Sequence, residues 1–287
     1  MTSILQCPVC RCLLFASAGG FQCANKHTFD AARQGYVNFL LAHKKHSKQP
    51  GDSPEMIRSR RRFLELGLYN KISDAVNDAI ALNLPASGHG SGLNILDAGC
   101  GEGFYLKRLK DSLAVTLGKS AKVDYYGIDI SKFGVRHATQ RDKSMHWFVA
   151  SIVDLPFASS SLDIVLNVFS LADIAEFSRV LREAGRLVVV TPGPKHLNGL
   201  REIIYPIARE HAQSAIPEQA KGFFSSVRTT RVNYPLEMTS SEQIMDLLAM
   251  TPYFWNIDLN TKLKVEALDR LALEVDVMIS VLSKTAG

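Results

Sequence analysis

The sequence predicts an α/β fold: a mainly parallel sheet with helices on both faces, preceded by a small metal-binding segment. Three observations predict it. From Asn94 onward, short apolar runs alternate with helical patterns, as parallel strands linked by crossover helices require. The first of those runs, Ile95-Leu96, ends in Asp97 and enters three glycines at alternate positions, Gly99, Gly101 and Gly103. Ahead of all this, Cys7-x-x-Cys10 and Cys23-x-x-x-His27 form two soft-ligand pairs.

The paired cysteines open the chain. A Cys-x-x-Cys knuckle puts two thiolates on one tight turn, and Cys23 with His27 completes a tetrahedral set that suits structural zinc. Cys12 is a spare thiol, either a bystander or a substitute ligand. The thioredoxin-like strand and helix that a redox reading of the motif would need are absent. A segment this short has too little core to hold itself without the metal. It divides the chain into a zinc-binding domain over 1–50, a helical connector over 51–92 and the α/β domain over 93–287.

Next come Gly35-Tyr36-Val37-Asn38 and a polar tract over 43–51, read as an exposed loop. Asp52-Ser53-Pro54 is a helix start, with Ser53 able to cap and proline at the first helical position. Met56, Ile57, Phe63 and Leu64 then face inward, with Arg58, Arg60, Arg61 and Arg62 largely elsewhere. Gly67-Leu68-Tyr69 interrupts, and a second helix runs over about 70–82. A connector rich in Gly and Ser precedes the first strand.

Leu106, Leu109, Leu113 and Leu117 share roughly one face, so the glycine turn leads from strand to helix. The second strand runs over 123–129 and ends in Asp129. The third lies near 147–149, the fourth over 161–170 with its exit loop, and the fifth over 186–191. Residues 226–235 and 273–282 are β-rich, separated by a helix near 241–248, and could close the sheet as an antiparallel pair.

The net charge of +5 is uneven: residues 1–66 hold ten Lys and Arg against four acids. A polyanion is expected to dock on that quarter, although a basic face can also be merely solvated. No apolar run approaches a membrane span. The first residues lack a signal-peptide pattern, and five clustered cysteines do not suggest a disulfide framework, so a cytoplasmic location is expected.

The glycine turn is stripped of side chains, so a ligand can approach the backbone closely and meet the N–H groups opening the helix. It departs from the dinucleotide fingerprint, with Phe104 where a third glycine would fall, and Asp97 would repel a pyrophosphate. A ligand with an amino group and a sulfonium suits that acid better. The pattern Asp97-x-Gly99-x-Gly101-x-Gly103 resembles the first motif of class I S-adenosylmethionine (SAM)-dependent methyltransferases. That resemblance implies a Rossmann-like, mainly parallel seven-stranded sheet. Asp129 is placed to grip ribose hydroxyls or to cap the next helix, roles that are compatible. Where such enzymes often carry an acid for adenine, this chain has Ser151, so adenine contact falls to Ser151 or to backbone around Ile152. Asp154 reads as a surface acid. The fourth-strand exit, 167–170, is where substrate would meet the methyl group.

Cys7-Pro8-x-Cys10, Cys23-x-x-x-His27-x-Phe29-Asp30, Gly35-Tyr36-Val37-Asn38, Gly51-Asp52-Ser53 and the glycine turn occur in order, followed by Thr191-Pro192-Gly193-Pro194-x-His196-Leu197. Together they resemble the bacterial 23S ribosomal RNA guanine-N1 methyltransferases of the zinc-finger type, over nearly the whole chain. The resemblance implies SAM as cofactor, Zn2+ on Cys7, Cys10, Cys23 and His27, 23S rRNA as partner and a homodimer. It places further cofactor contacts on Tyr69, Gly101, Glu102 and His196. The competing readings are that Tyr69 belongs to the core and that His196 braces its proline-rich loop. The Thr191 loop and Met250-Thr251-Pro252-Tyr253 look more like the branch modifying helix 35 at position 745 than the branch acting at 748. Guanine N1 is protonated at neutral pH, so a base or a hydrogen bond to O6 must assist; Asp173 and His196 are the candidates. The tract at 44–48 and Arg58 to Arg62 would hold phosphates. The rival readings are a small-molecule methyltransferase with a structural zinc finger and a zinc-finger RNA-binding protein with an inactive cofactor domain.

Overall fold

The computed structural model describes residues 4–44, 47, 50–85, 92–118, 120–205 and 215–285. The N-terminal segment forms an antiparallel sheet of β1 (Leu14–Ser17), β2 (Gly20–Cys23) and β3 (Thr28–Asp30). Then β4 (Val37–Asn38) leaves it and pairs in parallel with a strand of the large sheet, at Val37 to Phe148 and Asn38 to Val149. Ser53 caps α1 (Pro54–Glu65), its hydroxyl accepting from the Met56 N–H at 3.3 Å, and α2 (Asn70–Leu82) follows. Ile57, Phe63 and Leu64 are buried as the helical spacing requires, and Met56 is half-buried.

The large unit alternates β5 (Leu93–Ala98), α3 (Phe104–Thr116), β6 (Val123–Asp129), α4 (Lys132–Arg141), β7 (His146–Val149), β8 (Leu162–Val168), α5 (Ile174–Val180) and β9 (Leu181–Pro192). Short helices α6 (Asn198–Ile204) and α7 (Ile216–Gln219) precede β10 (Phe224–Met238). Helices α8 (Ser241–Ala249) and α9 (Leu259–Glu266) separate β10 from β11 (Leu271–Lys284). The two long strands do pair antiparallel, and β11 docks antiparallel on β9.

The sheet order is β10-β11-β9-β8-β5-β6-β7-β4, so among the described residues eight strands are present where seven were expected. The eighth is β4, which comes from the segment assigned to the zinc-binding domain. Two residues too short to signal a strand by periodicity become one because the open edge of β7 supplies hydrogen-bond partners.

Side chains alternate between two apolar layers, as the pleat demands. Ile95, Tyr125, Trp147 and Val188 enter the layer that includes residues of α1, α2, α3 and α8. Leu96, Tyr126, Phe148 and Leu187 enter the opposite one, where they meet Leu5, Leu14, Val37 and Phe39. Phe39 packs against Phe29 and Phe148 at ring separations of 5.2 and 5.0 Å. The zinc-binding segment therefore covers part of one sheet face, as a helix layer does elsewhere in such folds. Arg11 pairs with Asp154, which is thereby a tie between this segment and the loop after β7 rather than a surface acid. No described helix is long and apolar enough to cross a membrane.

Candidate active site and metal centre

The turn after β5 is built for close approach. Gly99 holds φ +89°, and a Cβ there would lie 2.2 Å from the Ser170 hydroxyl. That position admits no side chain. Asp129, at the end of β6, clasps the turn: its carboxylate accepts from the Gly101 N–H at 2.9 Å and from the Ser131 N–H at 2.7 Å. Burial raises the Asp129 pKa, with those two N–H groups working against it.

Over the turn lies a cavity of ≈ 660 Å³ at the carboxyl ends of the strands. Its size and position fit a cofactor site of a parallel sheet. Gly99, Gly101, Glu102, Asp129, Ser151 and Ile152 all line it, as do Tyr69 and His196. The sequence-predicted cofactor residues thus converge, with two exceptions. Asp97 and Gly103 are not among the lining residues. Gly103 begins α3 at φ +85°, and a Cβ there would meet Trp147 at 2.8 Å and Ala138 at 3.0 Å. Its absent side chain serves helix packing, a correction to the cofactor-contact reading.

Asp97 sits behind the turn, 1% exposed, with Oδ1 lacking a hydrogen-bond partner among the described residues. Burial, reinforced by the Asp129 charge, lifts its pKa to about 8. Glu102 is also 1% exposed: Arg141 engages one oxygen, with its Nε at 2.9 Å, while Oε1 is unpartnered. Burial raises Glu102 in spite of that arginine. Orphaned carboxylate oxygens beside a cavity are costly without a ligand, and an ammonium with a sulfonium is the charge they lack. The residues present fit SAM.

His196 is held in one tautomer. Its Nδ1 accepts the Asp276 N–H at 3.2 Å, so the ring proton belongs on Nε2. Its ring stacks on Phe169, centroids 5.5 Å apart at 22°. Asp276 organises the loop as well, accepting from the Lys195 N–H at 2.8 Å and from Arg231 at 2.7 and 3.0 Å. Burial would raise Asp276, but Arg231 and that N–H overcome it and hold the carboxyl below its usual range. His196 thus both braces its loop and lines the cavity.

Asp173 does not reach the cavity lining. It caps α5, accepting the Glu176 N–H at 2.9 Å, so its place as candidate base is withdrawn. Asn167 is fully buried and ties the Ala98 and Leu171 carbonyls at 2.7 and 3.0 Å, leaving Val168, Phe169 and Ser170 to face the cavity. Phe169 adopts φ +51°, an uncommon backbone conformation for an aromatic residue, at the rim of the cavity. The arginine row is also partly spoken for: Arg60 pairs with Asp52, Arg61 with Glu65 and Arg62 with Asp246. Arg58 is exposed and Lys44 lies in a short 3₁₀ turn, while residues 45, 46, 48 and 49 lie outside the described residues.

Sequence reading missed Asp52, Arg60, Tyr105 and Leu171 as cavity residues. Asp52 was read as part of a helix start and a family motif, and Arg60 as one of a row of phosphate-holding arginines. No local spacing marks a helix residue that folds back over a turn some forty positions later.

At the metal centre, the donor atoms of Cys7, Cys10, Cys23 and His27 all lie within 4.8 Å of one another. Cys10 and Cys23 Sγ are 3.6 Å apart, and His27 Nδ1 is 3.4 Å from Cys23 Sγ and 3.6 Å from Cys7 Sγ. A zinc tetrahedron with bonds of about 2.3 Å to sulfur has edges of roughly 3.8 Å, so the set fits Zn2+. Cys12 stands outside it and accepts from Asn25 at 3.6 Å.

A glycine turn at the head of a parallel sheet, an acid ending the next strand and a cationic-ligand cavity define a SAM-dependent methyltransferase, here with a zinc ribbon. The family model "RlmA, N-terminal" matches residues 5–48, and "Methyltransferase domain" matches 96–191. The chain is 33% identical over 284 residues to the "Putative 23S rRNA (guanine-N(1)-)-methyltransferase YxjB" of Bacillus subtilis, covering 96% of each. It is 30% identical to the 23S rRNA (guanine(748)-N(1))-methyltransferase of Streptomyces fradiae, covering 88% of this chain and 86% of that one. The chain belongs to the 23S rRNA (guanine-N1) methyltransferase family. Its cofactors are SAM and structural zinc.

Proposed function

We propose that the protein methylates N1 of a guanine in helix 35 of 23S rRNA, at the position-745 type of site, as a cytoplasmic homodimer. The observation that carries this is the pairing, in one chain, of a methyl-donor cavity with a zinc ribbon cored onto its sheet, in a family whose relatives bear that activity in their names. The choice of 745 rests on the Thr191–His196 loop and on Met250 to Tyr253, all resembling that branch, several of which line the cavity. The name of the Streptomyces relative favours 748 as the second reading.

When bound, SAM supplies an electrophilic methyl group. Asp129 and the backbone around Ser151 and Ile152 would hold its nucleoside, and Glu102 and the turn its methionyl end. Binding a cation is also what would ionise Asp97. A paired guanine hides N1, so the target base would be unpaired or flipped. Phe169, Tyr69 and Leu171 give it an apolar wall, and alignment of the base supplies much of the rate. His196, protonated on Nε2, is a hydrogen-bond donor. It suits O6 of the guanine, whose electrons must shift as N1 gives up its proton to solvent and takes the methyl group, better than it suits removal of that proton.

The test is to incubate the zinc-loaded protein with SAM and 23S rRNA lacking the modification, then to map primer-extension stops. A new stop at a helix 35 guanine supports the reading, and its register separates 745 from 748. Methyl incorporation into small molecules with no stop on RNA would favour the small-molecule alternative. Failure to bind SAM would favour the inactive-domain alternative. Sedimentation of the same sample reports the dimer.

A further inference from the structure

The cofactor cavity has a charge pattern that the contacts proposed above leave unused. Among the described residues lining it are three carboxylates, Asp52, Glu102 and Asp129, and one arginine, Arg60, with no lysine. His196 adds no fixed positive charge, because its Nδ1 lone pair is taken by the Asp276 N–H. SAM carries two cationic centres and one anionic group, the methionyl carboxylate. The anion has one strong cationic partner to find.

Arg60 is placed for it. Its Nη1 lies 3.2 Å from where a Cβ on Gly101 would be, so the guanidinium occupies the space over the turn that a side chain would otherwise fill. Asp52 steadies it through a 2.5 Å ion pair at Nη1. Asp52 is itself tethered: its carbonyl accepts from the Ser131 hydroxyl at 2.8 Å, beside the end of β6. Three short links therefore join Asp129, Ser131, Asp52 and Arg60 around one rim. A guanidinium presents five donors in a flat fork, so contact with Asp52 through one nitrogen leaves geometry for a second carboxylate.

A second observation points the same way. The Tyr105 hydroxyl, on the first turn of α3, is buried without a hydrogen-bond partner among the described residues, and Tyr105 lines the same cavity. The Arg60 charge acts on this phenol, opposing the burial that raises it. An orphaned donor beside a guanidinium is the combination that a carboxylate satisfies.

We propose that Arg60, positioned by Asp52 and assisted by the Tyr105 hydroxyl, recognises the methionyl carboxylate of the cofactor and so selects SAM over analogues lacking that group. Asp52 is a positioning residue in this scheme, and Arg60 and Tyr105 touch the ligand. The proposal rests on the cofactor and not on the RNA substrate.

The experiment compares SAM with decarboxylated SAM by titration calorimetry on the full zinc-loaded chain, with no RNA present. The native protein is expected to prefer SAM by about tenfold or more, the scale of a charge-assisted contact. Arg60→Gln should bring the two ligands to within about twofold of each other by weakening SAM alone. Tyr105→Phe should narrow the ratio in the same sense and keeps the fold testable should Arg60→Gln lose its melting transition. Asp52→Asn should fall between Tyr105→Phe and the native protein. A SAM preference that survives both Arg60→Gln and Tyr105→Phe would overturn the proposal. So would equal loss of both ligands in both variants. An Arg60→Gln effect confined to the retention of a 23S rRNA fragment on filters would assign Arg60 to a phosphate instead.

Discussion

The metal centre and the cofactor cavity are both sets of converging donors, but they are assembled in opposite ways. Four zinc ligands come from 21 consecutive positions, 7–27, and approach within 4.8 Å of one another. The cavity draws on segments from Gly51 to Tyr253 and, among the described residues, leaves Glu102 and Tyr105 with unpartnered polar atoms; Asp97, behind its turn, has one as well. The first site is closed and structural, as a full soft-ligand tetrahedron is. The second is open, with buried polar atoms that lack partners among the described residues. Stability and specificity therefore reside in different places: metal binding is coupled to folding, whereas cofactor binding is expected to be coupled to protons and carboxylate recognition.

The largest effect that would sharpen this contrast is loss of the metal. Cys10→Ser should remove stoichiometric zinc and cost about 3 kcal/mol, roughly 6–12 °C in melting temperature for a chain of this size. The ribbon shares an apolar layer with the sheet, through Phe39 on Phe148 and Val37 beside it, so the loss should extend to the sheet edge. SAM affinity, measured well below the transition, should change by less than about threefold, because the cavity lies at the strand ends and not under the ribbon. An unchanged melting temperature would mean that the shared layer contributes nothing.

Within the glycine turn, Gly103→Ala separates packing from ligand contact. Its Cβ would press on Trp147 and Ala138 from a left-handed backbone, and a loss of about 2–3 kcal/mol is expected in chemical denaturation. SAM should still bind to whatever fraction is folded.

The pH dependence probes the open site directly. The folded, cofactor-free Asp97 sits at about 8, above its ordinary value of 3.8. Over that window the folded state retains a proton that the unfolded state has released. The stabilisation is therefore full below about pH 4 and is lost as pH rises towards 8. Melting of the cofactor-free protein should fall between pH 6 and 8, inside that window, and Asp97→Asn should flatten that slope. A bound cation favours the ionised form, so SAM binding near pH 7 should release protons, detectable as a buffer-dependent calorimetric enthalpy.

The smallest effect concerns Asp173. As the cap of α5, its change to Ala should cost about 1 kcal/mol and leave the rate of methyl transfer within about twofold. A fall in kcat of a hundredfold with the stability unchanged would restore it as a base.

The same contrast explains what the sequence could tell. The zinc set, the Ser53 cap, α2 and the strand–turn–helix at Gly99 are encoded in neighbouring residues, and each was readable. Asp129 was placed by the rule that ligands lie at strand ends, Ser151 and Tyr69 by family resemblance, and all three line the cavity. What escaped reading depended on distant segments. β4 exists because β7 offers an unpaired edge, and Arg60 reaches the turn because α1 packs near α4. Asp173 looked catalytic from its position after β8, yet an acid two residues before a helix interior equally signals a cap, and the cap is what formed.

The most direct measurement of the central claim is nucleoside mass spectrometry of 23S rRNA treated with the zinc-loaded protein and SAM carrying a labelled methyl group. Labelled 1-methylguanosine is expected, stoichiometric with the RNA and lost with Asp129→Ala. Label on N2 of guanine, on another base, or on no RNA nucleoside despite tight SAM binding would contradict it.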